Sequence, residues 1–242
     1  MSEFSDLPKK ERDILWWEFR EKYKLHYDDT IKDGHVVELD FGYTGIDECF
    51  HLVKNFSHLR KLNLSHTGVS DLTPLRHLKE LRYLNFYLTG ISDVSPLKNL
   101  TKLKWIKLES TDVEDISPLS SLKKLRFLNL RYTEVSDLTP LRNMKNLEEL
   151  YLEDTNVSDL SPLKDLRKLK TLDLKHTNVS DLSPLRRLED LERLELDYSQ
   201  VADLSPLKNL KKLEFLFLAG TNVSEGCEAV KKLRDKGVLV DT

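Results

Sequence analysis

Residues 147–190 read LEELYLEDTNVSDLSPLKDLRK and then LKTLDLKHTNVSDLSPLRRLED, two 22-residue units in unbroken phase. The same apolar opening, L-x-x-L-x-L or a close variant, begins at Leu59, Leu81, Leu103, Leu125, Leu147, Leu169, Leu191 and Leu213. Self-similarity at a fixed short period is the mark of a solenoid, in which each unit buries its apolar edge only by stacking on its neighbours. The repeats therefore build a surface, and function is to be sought in the positions that break the pattern.

Each recurring residue can be given a physical task. The x-L-x-L-x stretch alternates with period two, which predicts a short strand with its leucines inward. Thr67, Thr89, Thr111, Thr133, Thr155, Thr177 and Thr221, with Ser199 in the unit that begins at Leu191, fall where the chain leaves the strand. A hydroxyl there is expected to bond a backbone group of the adjacent coil. The D-L-S/T-P-L segment recurs at Asp71, Asp93, Asp115, Asp137, Asp159, Asp181 and Asp203. Ser or Thr before Pro reads as an N-cap with Pro at the first helical position, so a short 3₁₀ turn is predicted there. The aspartates would form a repulsive column unless each accepts backbone N–H bonds in its own turn. Seven equivalent copies argue for such a structural task and against a catalytic carboxylate cluster.

The segments TGVSDLTPL, TDVEDISPL, TEVSDLTPL and TNVSDLSPL resemble the leucine-rich-repeat family, most closely its bacterial 22-residue class. Internalins share the D-I/L-S-P-L segment, though they typically carry Asn where this chain has Thr. The resemblance covers about residues 36–225. It implies an α/β solenoid, a right-handed leucine-rich-repeat coil. A concave parallel β-sheet would face 3₁₀ or short helical turns on the convex side, with partners bound on the concave side.

Solenoid ends expose apolar edges and require caps. Residues 1–35 are expected to form an N-terminal helical cap, with a helix from Asp6 and Pro8 to about Lys24 that turns Trp16, Phe19 and Tyr23 to one side and Leu15 beside them. Val36, Leu39, Phe41, Thr44 and Ile46 fit a degenerate first unit ahead of the eight regular ones. Residues 226–242 are expected to close the solenoid with a helix and a short strand, Val230 and Leu233 facing inward and Gly237 stopping the helix.

The third, fifth and seventh residues of each unit should point out from the concave sheet, with the eighth at its rim. Tyr83, Trp105 and Phe127 then stand side by side, and Tyr87, Tyr132 and Tyr151 widen the patch. Phe215 and Phe217 form a second aromatic patch. Between them an acidic zone is expected from Glu149, Glu153, Asp154, Asp173, Glu195 and Asp197, and Lys107, Asn129 and Arg131 complete the candidate face. Aromatics on a rigid sheet suit a protein partner, since they bury much area at little entropic cost; apolar groups flanked by basic residues would be complementary. Cross-strand stacking that merely stabilises the sheet is the alternative, but aromatics shared by three adjacent repeats favour a binding patch.

Composition narrows the function classes. With 38 Lys and Arg against 41 Asp and Glu, net charge -3, there is no general attraction to nucleic acid or anionic lipid. The convex strips from Arg76 to Lys212 nevertheless hold 16 Lys or Arg against four Asp or Glu, so an anionic polymer or membrane is an alternative ligand. No transmembrane segment or signal peptide is read, and two thiols, Cys49 and Cys227, suit a reducing compartment, so a monomeric cytoplasmic protein is expected. The same residues leave a secreted bacterial effector and an engineered consensus scaffold open. Cys49, His51 and His58 loosely suggest a metal site but lack C-x-x-C or H-x-x-x-H spacing. With no phosphate-cradling loop, nucleophile elbow or HExxH, the expectation is a non-enzyme without metal or cofactor.

Overall fold

The computed structural model describes residues 7–15, 19 and 31–242. A short helix α1 (Lys9–Asp13) precedes an antiparallel pair, β1 (Ile31–Lys32) and β2 (His35–Val36). Ten three-residue strands follow, from β3 (Glu38–Asp40) and β4 (Lys61–Asn63) through β5 (Tyr83–Asn85), β6 (Trp105–Lys107), β7 (Phe127–Asn129), β8 (Glu149–Tyr151), β9 (Thr171–Asp173), β10 (Arg193–Glu195) and β11 (Phe215–Phe217) to β12 (Leu239–Asp241). They form one parallel sheet in sequence order. Pairing is in register, so Tyr83 lies against Trp105 and Trp105 against Phe127, while Leu84, Ile106 and Leu128 align beneath them. Helix α2 (Glu228–Asp235) packs Val230 and Leu233 into the last coil and ends at Gly237, whose φ of +89° favours glycine.

The repeat leucines form one continuous core along the coil. Leu150, Leu152, Leu160, Leu163, Leu166 and Leu169 are at most 1% exposed, and their counterparts in other units are buried alike. Removing one such side chain costs about 2–5 kcal/mol, because close-packed coils on both sides hold the cavity open. Leu15 and Phe19 are also fully buried, with Phe19 edge-on to Phe41 at 4.9 Å. Of the helix expected from Asp6 and Pro8 to about Lys24, the described part is α-helical over Lys9–Asp13 and π-helical at Ile14, Leu15 and Phe19, while Asp6, Trp16, Tyr23 and the rest of the span beyond Leu15 lie outside the described residues.

Two framework expectations need correction. The repeat threonines bond their own coil: each hydroxyl from Thr67 to Thr177, and that of Thr221, donates to the carbonyl three residues earlier at 2.6–2.7 Å. This closes a turn whose preceding residue is left-handed in every coil, with φ of 53–67° from Tyr43 and His66 to Gly220. Ser199 is buried, and its hydroxyl has no partner. Second, the Ser or Thr before Pro is not the N-cap. It is the first residue of the 3₁₀ turn, as at Ser161–Leu163, and the cap comes from the aspartate two residues before it.

Each of those seven aspartates accepts the Ser or Thr backbone N–H at 2.7–2.8 Å. In the five Ser units the hydroxyl donates to the other carboxylate oxygen. Bonds from Thr73 and Thr139 to Asp71 and Asp137, and from Ser161 and Ser205 to Asp159 and Asp203, hold these four carboxyls below the usual range. The column tolerates its own repulsion because every member is locally satisfied.

Candidate interaction face

The outward residues of the sheet divide into an aromatic half and an ionic half. Tyr83, Trp105 and Phe127 stack face to face, with ring centroids 4.1 and 4.4 Å apart and planes within 12°. In-register parallel strands sit about 4.8 Å apart, so identical positions on successive coils bring rings to stacking distance. Tyr151 continues the row at 5.4 Å, tilted by 43°. Stacking covers the ring faces that look along the sheet, and all four residues remain partly exposed. Burial, with Asp40 and Glu38 nearby, pushes the Tyr83 phenol up. Tyr151 is pushed up further by burial and by its hydrogen bond to Glu149, and both phenols stay neutral at physiological pH.

Tyr87 lies under the Lys107 ammonium, 4.2 Å from its ring centre, and Lys107 pairs with Glu109 at 2.8 Å. Tyr132 stands at the rim, 47% exposed, and its hydroxyl donates to Glu153. Phe215 and Phe217 are partly exposed beside the Arg193 guanidinium, which sits 4.5 Å from the Phe217 ring centre.

The acidic zone is for the most part an ion-pair lattice. Arg131 bonds Asp173 and pairs with Glu153 at 3.2 Å; Lys175 reaches Glu195 at 2.8 Å and Glu153 at 3.5 Å; Arg193 bonds Glu195 at 2.6 Å. Asp173 is fully buried, and Asn129 and Glu195 nearly so. Asn129 and Asp173 accept the backbone N–H two residues on, of Arg131 and Lys175, at 3.0 and 3.1 Å, as Asn63 and Asn85 do for their own coils. The sequence reading that put Asn129, Asp173 and Glu195 on a partner-contacting surface is therefore corrected. Burial turns them into framework, with three cations, Arg131, Lys175 and Arg193, consumed in neutralising the acids.

Burial raises the Asp173 carboxyl even against the pull of Arg131. Burial would also raise Glu195, but hydrogen bonds from Lys175 and Arg193 outweigh it and leave that carboxyl low. Asp197 is raised by burial, partly offset by the Ala219 N–H it accepts. Asp154 is the exposed carboxylate of the group, and Glu149 accepts the Tyr151 hydroxyl.

Sequence reasoning missed a second ring ladder along the rim, where Tyr43 stacks on His66 at 4.0 Å and His176 on Tyr198 at 4.6 Å. The signal was available, since all four are the eighth residue of their units. Gly220 ends that column: a Cβ there would meet the Tyr198 ring at 2.5 Å, and its φ is +67°. On the opposite side, the convex strip is not featureless, for shallow furrows separate successive turns. One is lined by Lys164, Asp165, Arg186 and Arg187.

Coil, sheet and turns together define a class of repeat solenoid whose sheet side chains vary over a constant frame. The family described as Leucine Rich repeats (2 copies) matches residues 57–99 and 145–187. An internalin (inlF) from Listeria monocytogenes is 30% identical, with TM-score 0.78 over 85% of this chain and 60% of its own. Internalin C2 (inlC2) from the same organism is also 30% identical, with TM-score 0.71 over 78% of this chain and 81% of its own. A leucine-rich-repeat protein from Leptospira interrogans, 20% identical with TM-score 0.70, shares the fold over 85% of this chain and 60% of its own. No curated protein matches the sequence. The chain belongs to the leucine-rich-repeat family, with repeats of the internalin-like bacterial class.

Proposed function

We propose that this chain is a non-enzymatic binding protein that recognises another protein through the aromatic half of its sheet face. Tyr83, Trp105 and Phe127 are the apolar anchors, and Tyr87, Tyr132 and Tyr151 widen the contact. The observation that carries this reading is the stacked ladder itself. It is a preorganised, rigid aromatic strip, so little side-chain entropy is lost when a partner covers it. Its partner carries apolar groups, with basic groups reaching Glu149 and Asp154 at the strip's edge. The protein works as a monomer in the cytoplasm, by differential binding with no covalent step.

A second reading, anion binding through the convex furrows, draws on Lys164, Arg186 and Arg187 around one of them. Affinity capture from cells that express the chain natively separates the two. Partners retained by the wild type are expected to be lost with Trp105→Ala/Phe127→Ala and kept with Lys123→Glu/Lys124→Glu/Lys211→Glu/Lys212→Glu. The reverse pattern, together with steep salt dependence, would favour the convex face.

A further inference from the structure

Outside the sheet face, one cluster brings together three side chains with metal-ligating atoms, of which His58 also contacts Ser57 through Nδ1. Glu11 on α1 is buried, and its Oε2 accepts the Val36 N–H at 3.1 Å. Its Oε1 lies 3.5 Å from Nδ1 of His35 on β2. The His35 ring stacks on that of His58, centroids 3.6 Å apart and planes within 16°. One donor atom from each of Glu11, His35 and His58 lies within 4.8 Å of the other two. His35 Nδ1 is buried and, among the described residues, has no hydrogen-bond partner. A buried carboxylate beside an orphaned imidazole nitrogen is an unfinished electrostatic arrangement, which a cation completes.

We infer that Glu11, His35 and His58 form a binding site for a divalent first-row transition ion such as zinc. Two imidazoles and a carboxylate are the donor set such ions take, whereas calcium and magnesium prefer all-oxygen shells. Zinc bonds of about 2.0–2.2 Å place tetrahedral ligands roughly 3.3–3.6 Å apart, so the donors need to close by about 1 Å. Because the two imidazoles are stacked, the exposed His58 ring must also turn out of the stack so that both in-plane lone pairs converge on the ion, which leaves a fourth position for water. The three ligands come from α1, from β2 and from the segment entering β4. The ion would thus clamp the N-terminal cap onto the first coils, and the folded chain would be stabilised by mass action. The trio differs from the Cys49, His51 and His58 grouping suggested by proximity in sequence: His51 instead bonds the Glu48 carbonyl.

The test is isothermal titration of Zn²⁺ into untagged, chelator-stripped full-length protein, with Co²⁺ absorption as a second readout. One equivalent should bind, with visible Co²⁺ bands and a melting temperature that rises with zinc concentration. His58→Ala removes an exposed ring, and Glu11→Gln keeps the acceptor for Val36; each should weaken binding by at least about tenfold. Cys49→Ser/His51→Ala should leave it unchanged. Absence of saturable binding overturns the assignment, as does binding that survives both ligand substitutions or is lost in the Cys49/His51 control.

Discussion

The sheet face between β5 and β7 and that between β8 and β10, the latter joined by Arg131 from the β7 coil, share one frame, yet they are finished differently. In the first, Tyr83, Trp105 and Phe127 satisfy one another by stacking and leave an apolar edge toward solvent. In the second, Arg131, Lys175 and Arg193 are taken up by Glu153, Asp173 and Glu195. Stacked rings have spare dispersion and quadrupole interactions to offer a partner, whereas a closed ion-pair lattice has spent its charge internally. The aromatic half is thus expected to matter more for binding and the ionic half more for stability.

The largest expected effect breaks the ionic half. Arg131→Met leaves buried Asp173 with only Lys175, at 3.9 Å. It should destabilise by about 3 kcal/mol in urea unfolding. Adding Asp173→Leu should recover most of that loss, since the stranded charge is removed as well.

A smaller effect sharpens the comparison by showing what the halves share. Thr111→Val beneath the aromatic ladder and Thr177→Val beneath the lattice each remove one buried hydroxyl bond, to Leu108 and Leu174. Each should cost about 1 kcal/mol by the same measurement. Unequal costs would mean that the frame is not uniform.

Acid acts on the carboxyls of the ionic half and of the convex turns with opposing signs. Glu195, Asp71, Asp137, Asp159 and Asp203 have lowered carboxyls, so their stabilisation is present above the unfolded pKa and lost as pH falls through the folded value. Asp173 and Asp197 are raised, so the folded chain holds their protons more tightly and they offset part of the loss. Melting temperature should fall between about pH 5 and 3. It should fall more steeply in Arg131→Met/Asp173→Leu, which lacks part of the offset.

The smallest effect concerns the rim. Leu88 holds φ +53° and Asp154 +54°, and a branched apolar side chain tolerates that region less well than Asp. Leu88→Gly should stabilise by about 0.5 kcal/mol, and Asp154→Gly by less.

The period of the repeat made strand, turn and core positions readable, because each apolar residue recurs at one place in every coil. The aromatic row could be read for the same reason: Tyr83, Trp105 and Phe127 share a column, and a parallel in-register sheet turns a column into a stack. Burial of individual polar residues could not be read. Asp173 and Asn129 look like surface residues until the backbone N–H two positions later and the guanidinium from two coils earlier are in place. The left-handed turn was hidden because Tyr, Leu and His occupy it as readily as Gly220. His35 and His58 are 23 residues apart, the same offset that pairs Glu38 with Lys61, but Glu11 lies outside the repeat and no spacing links it to them.

The central claim is that the aromatic ladder is the binding surface, and it rests most directly on the affinity of a captured protein partner for Trp105→Ala. The account predicts that Kd rises by at least about tenfold, the scale of an interface hot spot, while Arg131→Met/Asp173→Leu binds within about threefold of the wild type. An unchanged Kd for a folded Trp105→Ala, or a larger loss in the ionic double variant, would contradict it.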